Sequence, residues 1–264
     1  RKHAKIEPER FYYHCDRLGM LVWQDMVNGG SAYKHWFVTY LATLMNWNHI
    51  SFSDDEKHAG LLSRLHPEGK DEFRREITET IAFLYNHPSI VVWVPFNEGW
   101  GQFDALAACE QIRALDSSRL VDHASGWFDQ KGGDILSLHY YFLKLKFKPE
   151  SKRAAALTEF GGYSLSIPGH SCCKKVYGYK KFNSTGTLTY GYIDLIRQTI
   201  LPAVKKGIGA TVYTQLSDIE EETNGIYTYD REICKIDPDT LRKWNRALKE
   251  AGECKTYADH TTDH

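Results

Sequence analysis

The sequence predicts an α/β fold in which a parallel sheet is covered by helices, and three observations predict it. Short apolar, β-rich runs alternate with longer stretches of helical periodicity along most of the 264 residues. That length suits one large α/β unit or two small domains. With 42% hydrophobic and 25% charged residues, the chain has the composition of a globular protein and not of a disordered one.

The elements follow in chain order. Phe11, Cys15 and Leu18 share one face of a first helix, and Leu21–Asp25 (LVWQD) is the first strand. Phe73, Ile77, Ile81 and Leu84 form the apolar stripe of a second helix, followed by the strand Ile90–Phe96 (IVVWVPF). Leu106, Cys109, Ile112 and Leu115 mark a third helix, and Leu120–Ala124, Ile135–Tyr141 and Ala155–Phe160 are strands. Ile193, Ile196 and Ile200 define a helix that Pro202 should kink or end, and Ala210–Gln215 is the last strand. Asp237-Pro238 reads as an N-cap with proline at the first helical position. Leu241, Trp244 and Leu248 supply that helix's apolar face, and Gly252 should stop it. The polar tail Lys255–His264 should fray.

This alternation suits both a closed (β/α)8 barrel and an open doubly wound sheet. No G-x-G-x-x-G or Walker motif follows a strand, which weakens the nucleotide-binding version of the open sheet. A barrel needs two more strands than the six visible, and they would lie before Arg1.

Composition excludes several function classes. Lys and Arg number 33 against 34 Asp and Glu, so there is no cationic surplus for nucleic acid. No apolar run approaches the roughly 18 residues of a membrane span. The six cysteines contain no C-x-x-C pair and read as free thiols, which favours a reducing, cytoplasmic compartment. The twelve histidines form no H-E-x-x-H or H-x-H motif, so no metal or other cofactor is expected. Seven Trp and sixteen Tyr suit either a large aromatic core or a sugar site, where pyranose faces stack on rings.

Chemistry in a barrel collects at the C-terminal ends of its strands. Those ends hold Asp25; Asn97 and Glu98; Asp122 and Ser125; His139 and Tyr141; Glu159; and Gln215 and Asp218. Glu98 follows the apolar run IVVWVPFN, and Glu159 follows AALT. An ionisable group at the end of a buried strand needs a task or a partner. A single Glu there is ordinarily a solvated loop residue, and His139 alone an ordinary core histidine, but two such carboxylates have a specific use. Glycoside cleavage employs one acid to protonate the leaving oxygen and a second carboxylate to attack or to activate water. A separation of about 5–5.5 Å gives retention through a covalent intermediate.

The opening RKHAKIEPERFYYHCDRLGMLVWQD, the run HPSIVVWVPFNEGWGQ and the run ALTEFGG together resemble glycoside hydrolase family 2. This is the family of β-galactosidases, β-glucuronidases and β-mannosidases, and the resemblance extends from Arg1 to about Leu248. It implies a (β/α)8 TIM barrel that is incomplete, its first two strands missing from the chain. Residues 1–252 would form the barrel from the end of strand two through strand eight, and 253–264 a polar C-terminal tail. It implies retaining, β-galactosidase-like hydrolysis of terminal β-glycosidic bonds. A carbohydrate is the expected partner, and N-terminal β-sandwich domains are expected in the same parent protein.

Residue by residue, the resemblance makes Glu98 the general acid/base, Asn97 the amide for the sugar 2-hydroxyl and Glu159 the nucleophile. Tyr141 would hydrogen-bond the nucleophile, His139 would line the site, and Arg1 would lie close to the nucleophile. Asp25 matches an acidic position that some members turn toward substrate or a metal. Two departures stand out. The tryptophan often found at the eighth strand's end is replaced by Tyr213-Thr214-Gln215, and the histidine expected after Asp25 is absent, with Val27 and Asn28 near its place. Trp100, Trp127 and Tyr213 are candidates for sugar stacking, each equally suited to packing, and Gln215 is a candidate substrate contact. The alternative is a catalytically silent barrel fragment with open sheet edges and a structural or interaction role.

Overall fold

Residues 1–3 lie parallel to the first strand: Lys2 donates its backbone N–H to the Trp23 carbonyl at 2.8 Å, and Asp25 donates to the Lys2 carbonyl at 3.1 Å. The structure, a computed structural model, describes residues 1–34, 36–47, 50, 52–141, 145–173 and 175–258. The chain divides into two units, Arg1–Leu138 with Glu150–Ala154, and His139–Pro149 with Ala155–His264.

The first unit starts with α1 (Glu9–Leu18), which buries Tyr12 and Cys15. Gly19 ends it at φ 64°, a left-handed position where glycine carries no Cβ penalty. β1 (Val22–Asp25) follows, and then a helical stretch the sequence reading missed, Trp36–Leu41 leading into α2 (Ala42–Trp47). α3 (Pro67–Leu84) takes proline in its first turn, where the missing N–H has no partner to lose. β2 (Ile90–Val94), α4 (Ala105–Leu115) and β3 (Leu120–Val121) complete the order. The strands pair in parallel as β1–β2–β3.

The core of this unit takes most of the expected residues, but Leu18 of α1 and Leu106 and Leu115 of α4 are exposed. Phe73, Ile77, Ile81 and Leu84 of α3, Cys109 and Ile112 of α4, and Tyr12 of α1 close over Val22, Ile90, Trp93 and Val121. The indole of Trp93 is fully buried and donates Nε1–H to Asp116 Oδ2 at 2.9 Å, which satisfies its polar edge.

β4 (Ile135–Tyr140) begins in the first unit and ends in the second. The connections from β3 to β4 and from β4 to β5 (Ala154–Gly161) contain no helix among the described residues, so strand–helix alternation is broken there. β5 is buried from Ala155 onward, as a parallel strand covered on both faces should be. A short pair the sequence did not signal, β6 (Tyr163–Ser164) with β7 (Lys180–Lys181), precedes α5 (Thr185–Leu195). α5 starts on a capping box in which Ser184 Oγ accepts from Thr187 N–H and Thr187 Oγ1 accepts from Ser184 N–H. Beyond it lie a widened turn at Ile196–Ile200 and α6 (Leu201–Lys205). Pro202 thus sits in a new first turn after the widened one, which accommodates its missing donor.

β8 (Ile208–Thr214) pairs in parallel with β5, and the sheet order is β4–β5–β8. α7 (Pro238–Ala258) runs through Gly252 without stopping, against expectation. The residues around it (Ala251, Glu253, Lys255) tolerate helix well, and one interior glycine costs only about 1 kcal/mol. The helix therefore absorbs the start of the expected tail, and residues 259–264 lie outside the described residues. Among the described residues no helix is long and apolar enough to cross a membrane.

Candidate active site

Each unit carries its own group of strand-end side chains. In the first unit the organiser is Arg1. Its Nε and Nη2 donate to the two oxygens of Asp25, each at 2.9 Å, and Nη2 also donates to Asn97 Oδ1 at 2.7 Å. The pair is almost wholly buried, with side-chain exposures of 2% and 3%. This is the bidentate fork geometry that makes an arginine–carboxylate pair specific. Asp25 is therefore occupied by Arg1, and Ala4 N–H adds a third donor at 3.3 Å. Asp25 thus positions the arginine. Because Arg1 can only donate, the Asn97 oxygen faces it and the Asn97 NH2 points elsewhere.

Glu98 stands one residue further on, in a tight turn. Trp100 N–H donates to the Asn97 carbonyl at 3.0 Å, and Glu98 N–H donates to the Ser125 carbonyl at 2.9 Å, which ties the turn to the chain after β3. The two central residues, Glu98 and Gly99, have φ of 51° and 72°. A glutamate held at positive φ is a strained conformation of the kind that clusters at functional sites. Gly99 is required on a second count, since a Cβ there would lie 2.2 Å from the Phe128 ring.

The two stacking candidates, Trp100 and Trp127, separate. Trp100 is 37% exposed and its ring lies 4.7 Å from that of Tyr33. Trp127 is partly buried against the apolar cluster of Phe37, Ala42, Leu62 and Phe128.

In the second unit Glu159, 8% exposed, is gripped at the end of β5. The Tyr141 hydroxyl donates to Glu159 Oε2 at 2.5 Å and lies 3.1 Å from Thr214 Oγ1. His139 Nδ1 is 3.5 Å from the same Glu159 oxygen. Tyr141 is held flat by Tyr179, whose ring stacks on it at 4.0 Å and 17°. Gly162, at φ 63°, makes room for that stack, because a Cβ there would meet Tyr179 at 2.4 Å and Tyr141 at 3.1 Å.

The residues of β8 fall differently from expectation. Tyr213 packs edge-on against Phe160 and Tyr192, and its hydroxyl is buried. Burial pushes its phenol pKa well up. Its neighbour Thr214, on the opposite face of the strand, is the one that meets Tyr141. Gln215 donates from Nε2 to Glu222 Oε2 at 2.8 Å and to Asn224 Oδ1 at 2.6 Å, so its NH2 braces the loop after β8. That loop is clasped to the body by Lys235, wholly buried, whose ammonium donates to Asp218 Oδ1 at 2.6 Å and to the Leu165 and Thr223 carbonyls, each at 2.9 Å. Burial lowers the Lys235 pKa, and Asp218 pulls it back up. The sequence reading missed Thr214 and Tyr179. Strand alternation relative to Tyr213 would have found the first, but no local signal marks the second.

A separate cluster of metal-type donors in this unit, His170 with Asp230 and Glu232, has its ligand atoms within 4.8 Å of one another near the surface. His170 Nδ1 already meets Asp230 Oδ2 at 2.7 Å.

Parallel strands covered by helices, with Asn97-Glu98 following β2 and Glu159 at the end of β5, are features shared with barrel glycosidase domains. The chain matches the model of the glycosyl hydrolases family 2 TIM barrel domain over residues 7–200 and belongs to that family. The fold is a partial (β/α)8 barrel of that family. A beta-mannosidase B of Thermothelomyces thermophilus is 32% identical over 94 residues, covering 36% of this chain and 8% of the relative. The chain thus spans under a tenth of the curated relatives it matches. A beta-D-glucuronidase of Dictyoglomus thermophilum superposes over 92% of this chain and 43% of its own, with TM-score 0.61 at 14% identity. A GH2 beta-galacturonidase of Eisenbergiella tayi, bound to galacturonate, gives TM-score 0.54 at 18% identity over 90% of this chain and 43% of its own. At those identities the structural likeness speaks for the fold alone.

Proposed function

We propose that this domain hydrolyses terminal β-glycosidic bonds with retention of configuration, with Glu159 as nucleophile and Glu98 as acid/base. The observation that carries the reading is the hydroxyl of Tyr141 on the Glu159 carboxylate. A donor on a carboxylate favours the ionised form, which a nucleophile must keep. His139 at the same oxygen adds a second polar neighbour.

In the first step Glu98 gives its proton to the glycosidic oxygen as the C–O bond breaks. Glu159 closes on the anomeric carbon to form a glycosyl ester. In the second step Glu98, now a carboxylate, takes a proton from water, whose oxygen attacks the same carbon and frees Glu159. Asn97, its oxygen already accepting from Arg1, offers its NH2 to the sugar 2-hydroxyl. The mechanism requires the two carboxyl groups to stand about 5–5.5 Å apart across the bound sugar.

The test is covalent. A panel of aryl β-glycosides (mannoside, glucuronide, galacturonide and galactoside) first finds the sugar. The matching 2-deoxy-2-fluoro glycoside with a good leaving group should then label the intact protein at Glu159, located by peptide mass spectrometry. Glu98→Ala should lose about 10²–10⁴-fold on substrates with poor leaving groups and far less on dinitrophenyl glycosides. A label on another residue, or a product of inverted configuration, would refute the assignment.

A further inference from the structure

Glu98, Asp104 and Phe128 of the first unit stand at φ of 51°, 41° and 51°. Non-glycine residues keep such conformations where the surroundings over-determine them. Here the surroundings converge on Asp54, a carboxylate between β1 and α3 that is 8% exposed. Its Oδ2 accepts from Ala105 N–H and from Gln102 Nε2, each at 3.0 Å, and its backbone carbonyl accepts from Asp104 N–H at 3.2 Å. Ala105 opens α4, whose N-cap residue Asp104 makes no side-chain cap hydrogen bond. Asp54 supplies that cap from 51 residues upstream, and its charge suits the positive end of the helix.

A helix cap needs only the contact to Ala105. The contact to Gln102 extends the hold back to the turn that bears Glu98. Gln102 is fully buried and also donates from Nε2 to the Phe128 carbonyl at 3.1 Å, where Gln130 Nε2 donates at 2.6 Å. The ring of Phe128 is the one that leaves no room for a Cβ at Gly99. Gln102 N–H closes back on the Gly99 carbonyl at 3.3 Å. Glu98 is thus fastened on two sides, by its own N–H on the Ser125 carbonyl and by Gln102 on Asp54. The segment between has little stiffness of its own, because glycine occupies positions 99 and 101.

We propose that Asp54 is a positioning residue for the acid/base, holding residues 102–105 so that the Asn97–Trp100 turn presents Glu98 to the leaving oxygen. The proposal rests on the reading of Glu98 above. Proton donation matters most where the leaving group is poor, so a displaced acid shows itself as a leaving-group effect.

The test compares kcat/KM for the phenyl and dinitrophenyl glycosides of one sugar on the intact protein, with circular dichroism as the check on folding. The phenyl-to-dinitrophenyl ratio should fall about 10- to 100-fold in Asp54→Ala, since a displacement of about 1 Å can cost about 10²-fold. Asp54→Asn, whose amide oxygen can still accept from both donors, should return to within about threefold of wild type. Gln102→Met keeps the cap on α4 and deletes only the tie to the turn. Its ratio should fall about tenfold, and it decides the matter if Asp54→Ala does not fold. Equal losses on both substrates, or no loss on either, would overturn the positioning role and leave Glu98 in place. A wild type that hydrolyses neither glycoside, or a Glu98→Ala variant without leaving-group selectivity, would overturn the acid/base reading and this proposal with it.

Discussion

Tyr141 donates its hydroxyl to Glu159 Oε2 at 2.5 Å while its ring lies flat against Tyr179 at 4.0 Å. The two contacts divide the labour: one holds the carboxylate, and the other fixes the plane from which it is held. Tyr141→Phe keeps the stack and deletes the donor. It should lower kcat/KM for aryl glycosides about 10- to 100-fold, the worth of a hydrogen bond to a charged group. A fall of less than about threefold would show that Tyr141 only packs.

The Arg1–Asp25 pair predicts a structural cost. Asp25→Asn leaves a buried guanidinium facing a neutral amide, and breaking one partner of a buried pair typically costs about 3–5 kcal/mol. Urea denaturation should show a stability loss of that order. Because Arg1 also holds Asn97, activity should fall with it. A change below about 1 kcal/mol would mean that solvent reaches the pair.

Asp116 gives a pH prediction for stability. Burial by itself raises this carboxyl, but hydrogen bonds from Ser118, Arg119 and Trp93 outweigh burial and hold its pKa at about 2. The folded value lies below the unfolded value of about 3.9, so the stabilisation is present above pH 4 and is lost as pH falls toward 2. At neutral pH it amounts to about 2 kcal/mol. Asp116→Asn should remove that amount and flatten the fall in stability between pH 4 and 2. Equal acid slopes in the two proteins would sink the assignment.

Much of the fold was legible because burial writes itself locally. Phe73, Ile77, Ile81 and Leu84 repeat at helical spacing, and all four are core residues. The runs VWQD, IVVWV and AALTEF are strands because continuous apolar or β-rich stretches of that length suit a sheet covered on both faces. Element ends were less legible. Gly252 and Pro202 act through neighbouring turns whose tolerance depends on what packs around them.

The amino-acid sequence by itself determined the family, the strand–helix framework and the placing of Glu98 and Glu159 at strand ends, since these follow from periodicity and short contiguous motifs. Only the tertiary structure decided which polar groups were already spoken for. Asp25 belongs to Arg1, Gln215 to Glu222 and Asn224, and Arg64 to Asn28, Gly69 and Gly101. It also decided that Thr214 and not Tyr213 meets Tyr141. The physical reason is common to all of them. A buried charge or amide must find its partner, and that partner can stand anywhere along the chain, so only the folded arrangement shows which side chains remain to act on a ligand.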